Sequence, residues 1–64
     1  MMNLRFRQIR LDGTESRSRE LTGIHQIEGE ICGEWTRIWF EGEGQTILAT
    51  EVPFSRGRIE IEAI

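Results

Sequence analysis

Few residues of this chain could perform chemistry, and their spacing works against most reactions. His25 is the single histidine and Cys32 the single cysteine. Their separation is odd, so on an extended strand the two side chains point to opposite faces, and a nucleophile–base pair would need a bulge between them. Ser16, Ser18 and Ser55 stand in polar stretches without the glycine-flanked elbow that exposes a nucleophilic serine. No catalytic residue is therefore expected. One histidine and one cysteine also fall short of a zinc ligand set, and no calcium-loop spacing occurs, so neither a metal nor a cofactor is expected.

The 10 glutamates could supply paired carboxylates for glycoside-type chemistry, but most fall on the solvent parity of alternating segments. They read as solvation and strand-edge protection. The glycines, Gly42 and Gly44 among them, match neither a phosphate loop nor a dinucleotide fingerprint and read as turn residues.

Two constellations rise above this background. Trp35, Arg37 and Trp39 share one strand parity, an aromatic–cation–aromatic stripe that could anchor a protein partner or stack bases. Arg5, Arg7, Arg10, Arg17 and Arg19 crowd the N-terminal third, with Arg5 and Arg7 on one parity and Arg17 and Arg19 expected to extend their face from a loop. Two core indoles and a solvated arginine strand would give the same patterns, so parity alone leaves the choice open. Arginine is the only strong cation, since lysine is absent; a planar guanidinium suits bidentate contact with phosphate or carboxylate.

The elements that must position these residues are strands. Ile, Val and Thr make up 15 of the 64 residues, and 7 glycines interrupt the apolar runs. Arg58 to Ala63 alternates strictly, placing Ile59, Ile61 and Ala63 on one face. Gln45 to Phe54 precedes it, and the turn Ser55-Arg56-Gly57 predicts a hairpin between the two. Pro53 must avoid a ladder donor position. Glu34 to Glu41 is apolar on both parities, as befits a strand that is central or that covers the domain's own core on one side and a partner on the other. Leu21 to Ile31 reads as one strand, with Gly23 and Gly29 as bulge or close-approach points. In Asn3 to Leu11 the apolar parity switches after Phe6, which predicts a bulge near Arg7-Gln8. The polar run from Thr14 to Glu20 has no apolar residue and reads as a mobile loop.

A chain of 64 residues is one small domain, residues 1–64. Five short strands without a covering helix predict an all-β fold: a single small antiparallel β-barrel of SH3-like or OB-like kind, or a strongly bent five-stranded meander. So small a core makes a lone monomer marginal, and a homo-oligomer is expected. The net charge of −3 divides into +3 over residues 1–19 and −6 over the remainder. Such asymmetry can serve an anion-binding face or contact between copies of the chain.

A lone cysteine, no signal-type apolar run and no apolar stretch of membrane-spanning length predict a cytoplasmic protein, in a host cytoplasm if its origin is phage or viral. The function expected is a non-catalytic protein-interaction, adaptor or inhibitor module acting as a homo-oligomer. Its partner-binding residues would be Arg5, Arg7, Arg17, Arg19, Trp35, Arg37 and Trp39. The alternative is a small nucleic-acid-binding β-barrel in which the N-terminal arginines contact phosphate and the tryptophans stack bases.

Overall fold

A computed structural model describes residues 1–64, which form six strands: β1 (Met2–Ile9), β2 (Glu15–Ile24), β3 (Gln26–Cys32), β4 (Trp35–Gly42), β5 (Gln45–Pro53) and β6 (Arg58–Ala63). A 3-10 turn, Phe54–Arg56, joins β5 to β6. The fold is all-β and antiparallel, as the composition implies. It is not a closed barrel: the strands form two three-stranded sheets, ordered β2-β1-β6 and β3-β4-β5, and no ladder connects one sheet to the other. No helix is long and apolar enough to cross a membrane.

The sixth strand comes from the polar run expected to be a loop. Residues of that run pair with β1, Arg5 facing Glu20 and Arg7 facing Ser18. It needs no aliphatic residue because Arg17 and Arg19, opposite Gln8 and Phe6, occupy its inward positions. The Arg17 guanidinium lies 5.9 Å from the Phe6 ring centroid, so its stem covers apolar surface while its charge meets the ring face. The segment expected to be one strand from Leu21 to Ile31 divides at His25, whose amide donates to the Glu41 carbonyl (2.8 Å). β2 and β3 thus serve different sheets.

Two further expectations are corrected by the topology. β5 and β6 do not form a hairpin; the 3-10 turn and Gly57 carry the chain across to the other sheet, where β6 lies beside β1 from Ile9 opposite Arg58 to Leu4 opposite Ala63. The first strand ends at Ile9, leaving Leu11 exposed beyond it. The bulge foreseen near Arg7-Gln8 has its counterpart in a register shift between Gln8 and Ile9, with Ser16 of β2 the extra residue. Its hydroxyl donates to the Gln8 carbonyl (3.2 Å). Pro53 closes β5, a strand paired on one side only, where a missing donor costs no ladder bond.

Phe6 of β1 and Phe40 of β4 meet edge-to-face, ring centroids 5.6 Å apart and planes at 75°. Leu4, Leu21, Ile24 and Leu48 surround them, and Ile9 and Val52 are buried as well. Burying side chains of this size contributes about 1.5–3 kcal/mol each. These are the only 8 buried residues. The chain makes 36 backbone hydrogen bonds, against roughly 45 for an average domain of its length. Four of the six strands are sheet edges, which accounts for the difference.

Gly57 fixes the crossover between the sheets. Its φ of 133° and ψ of −148° belong to a region that only glycine adopts readily, and a Cβ built there would lie 1.9 Å from the Ile9 carbonyl oxygen. Gly57→Ala is expected to cost about 3–4 kcal/mol in denaturant unfolding, from clash and backbone strain together. Gly13→Ala, at φ 87° but with nothing within 4 Å, is expected to cost about 1–2 kcal/mol. Equal losses at the two positions would contradict the close approach at Gly57.

Candidate partner-binding face

The core face of β4 carries Phe40 and, half-buried, Ile38; the alternate residues Trp35, Arg37 and Trp39 therefore occupy the outer face of the β3-β4-β5 sheet. Register decides their surroundings, because directly opposed residues of an antiparallel pair share a face. Trp35 stands between Cys32 and Pro53, Arg37 between Glu30 and Glu51, and Trp39 between Glu28 and Ala49. The stripe is not core. Trp35 is exposed and Trp39 half-buried.

Arg37 is committed within this face. Its Nε lies 2.7 Å from Glu51 Oε1, a close charge contact without hydrogen-bond alignment, and its Nη1 lies 3.6 Å from Glu30 Oε1. Glu51 first, then its other neighbours, holds the guanidinium pKa above arginine's already high ordinary value. Glu28 has only Gln26 Nε2 as a hydrogen-bond donor (2.8 Å). Among the cross-strand neighbours on this outer face, Glu28, Glu30 and Glu51 outnumber the single arginine, Arg37. Trp35 also borders an open cleft of about 710 Å³, shared with Leu11, Pro53, Arg56 and Arg58, that contains neither histidine nor cysteine.

The arginines do not gather on one face. Arg5 and Arg7 lie on the outer face of the β2-β1-β6 sheet, each inside an ion-pair ladder. Arg5 contacts Glu20 (3.0 Å) and Glu62 (3.1 Å); Arg7 contacts Glu62 (3.2 Å) and Glu15 (3.7 Å). Hydrogen bonds to Glu20 and then Glu62 raise the Arg5 pKa further. Arg17 and Arg19 have the opposite parity and lie on the inner side of the same sheet, so they do not extend the Arg5–Arg7 face. Neither has a carboxylate within 4.0 Å. Arg10 braces the β1–β2 turn by donating to Thr14 Oγ1 (3.1 Å) and the Glu15 carbonyl (3.0 Å). In the same turn Asp12 accepts from the Thr14 hydroxyl (2.6 Å) and amide (2.9 Å), bonds that hold its carboxyl below the ordinary range.

His25 precedes β3 and Cys32 ends it, a span of about 23 Å at the rise of an extended strand. The Cys32 thiol donates to Glu30 Oε1 (3.2 Å); that bond, with partial burial and the carboxylate's charge, raises its pKa above the ordinary thiol value. Compared with family models, curated proteins and solved structures, the chain matches none of them. The stripe itself was readable from parity in the sequence. The acids that surround it were not, because Glu28, Glu30 and Glu51 reach it only through the register of β3 and β5.

The thiol provides a local check on this geometry. Its raised pKa means that the neutral form favours the folded state, a contribution present below the ordinary thiol pKa and lost as pH rises through the raised value. At mildly alkaline pH, alkylation of Cys32 is expected to be slow, and Glu30→Gln is expected to accelerate it several-fold with no change in secondary structure. Identical rates in the two proteins would contradict the Cys32–Glu30 contact.

Proposed function

We propose that this chain is a non-catalytic protein-binding module that works as a homo-oligomer. The observation that carries the reading is the outer face of the β3-β4-β5 sheet: two indoles beside an arginine neutralised by Glu30 and Glu51. An amphipathic surface of aromatic anchors within a polar rim suits a protein partner. The same acids repel phosphate, and Arg5 and Arg7 already have carboxylate partners, so the arrangement favours a protein over a nucleic acid. A second copy of the chain is the first partner we assign to this face. So thin a core gains most from burying it, and Trp35 on this face is an exposed aromatic side chain.

One feature supports an architecture of SH3-like or OB-like kind: β2 runs into β3 through the single residue His25, so one bent segment feeds both sheets, as at the corner of a small, partly open barrel.

Light scattering on the eluting protein is expected to give the mass of a dimer or larger assembly. The melting temperature should fall on dilution, and Trp35→Ala should shift the mass towards monomer. A monomer mass at high concentration with dilution-independent melting would overturn the self-association. Sub-micromolar binding of single-stranded DNA at physiological salt, falling steeply with added salt and flattened by Arg5→Ala, would favour the nucleic-acid reading instead.

A further inference from the structure

The β3-β4-β5 sheet has a second surface with no cover. On its inner side Ile27 and Ile31 of β3 share the parity of Phe40, yet Phe40 is 0 % exposed while Ile27 is 38 % and Ile31 73 % exposed. The opposite sheet covers β4 and β5 and stops short of β3. Between the two isoleucines stands Gly29, and with Thr36 and Ile38 they outline a shallow apolar depression. The backbone does not require glycine there. Gly29 has no positive φ, and a Cβ would make only ordinary contacts, the nearest at 3.5 Å to the Arg37 carbonyl oxygen. Its effect is to leave a notch one side chain wide. β3 also pairs only with β4, so its other edge presents unpaired backbone donors and acceptors. On its outer side the same strand presents Glu28 and Glu30, and the nearest cation, Arg37, lies closer to Glu51 than to Glu30.

We infer that the β3 edge accepts an extended segment of a partner protein as an added strand, with an apolar side chain in the notch over Gly29 and basic side chains opposite Glu28 and Glu30. This rests on the protein-binding reading and names the chemistry of a partner for it. Strand addition gives affinity through main-chain hydrogen bonds and specificity through alternate side chains. Here the alternation demanded is apolar–basic–apolar–basic–apolar. Charge complementarity selects that occupant over a twofold β3–β3 pair with a second copy. The sequence Ile27-Glu28-Gly29-Glu30-Ile31 reads the same in both directions, so a twofold β3–β3 pair centred on Gly29 would match Ile27 with Ile31 but oppose Glu28 to Glu30. Like charges directly opposed destabilise a strand pair.

The test uses the intact chain and two labelled peptides, one with the core Val-Arg-Leu-Arg-Val and one with Val-Glu-Leu-Glu-Val. Fluorescence anisotropy is expected to show saturable binding of the basic peptide alone, and amide exchange is expected to slow in β3 when it binds. Gly29→Val fills the notch and should weaken binding roughly tenfold or more, the equivalent of one buried aliphatic side chain, without loss of melting temperature. The double variant Glu28→Lys, Glu30→Lys should exchange the preference to the acidic peptide, which a merely damaged fold would not do. Binding of neither peptide, protection mapping to another strand, or a preference unmoved by charge reversal would overturn the proposal. Protection of the open-edge β3 amides in the peptide-free protein would overturn it in favour of a second copy on that edge. The Gly29→Val arm leaves the Trp face intact, because Gly29 lies on the opposite side of β3, and the role of that face is read separately from the mass of the Trp35→Ala protein.

Discussion

The edge-to-face contact of Phe6 with Phe40 is the constraint to which the rest of the molecule is fitted. Each ring stands on the middle strand of its sheet and each is wholly buried. With only 8 buried side chains there is no second cluster to set how the sheets lie on one another. The aromatic pair adds a directional preference, the ring edge of one against the face of the other, that aliphatic packing lacks. Leu4, Leu21, Ile24 and Leu48 fill around it, and Arg17 caps the Phe6 ring where β2 has no aliphatic residue to offer.

A core so local leaves the outer faces to be solvated by charge. On the β2-β1-β6 sheet this takes the form of cross-strand pairs, with Glu62 shared between Arg5 and Arg7. Exposed pairs of this kind contribute little stability each. Their larger effect is to take Arg5 and Arg7 out of use by an external anion, while Arg17 and Arg19 stay free of carboxylate partners. On the β3-β4-β5 sheet the balance differs: one arginine, several acids and two indoles. The sheets meet around the aromatic pair, and β3, which contributes no buried side chain, keeps an open edge and an uncovered apolar side. The two surfaces assigned to partners are consequences of where the core ends.

Side-chain alternation was legible wherever it was strict. The inward set Ile59, Ile61 and Ala63 of β6 and the two alternating sets of β4 follow from parity, although Ile61 and Ala63 remain exposed and parity did not say which set of β4 faces the core. The first half of β2 was not legible as a strand, because arginine stems and a cation over a ring replace the apolar residues that mark a strand in sequence. The transfer of β6 to the other sheet was equally hidden. A turn signal such as Ser55-Arg56-Gly57 reports a change of direction but not which strand the chain joins next, and that choice depends on Gly57 packing against the Ile9 carbonyl. The separation of Arg17 and Arg19 from Arg5 and Arg7 follows from the register of β1 with β2, which long-range packing sets.

The central claim, that one aromatic contact couples the two sheets, is most directly tested by a double-mutant cycle with Phe6→Leu and Phe40→Leu, measured by denaturant unfolding. A coupling free energy of about 0.5–1.5 kcal/mol between the two substitutions is the predicted result. Losses that add to within about 0.3 kcal/mol would contradict it, since the two rings would then stabilise their sheets independently.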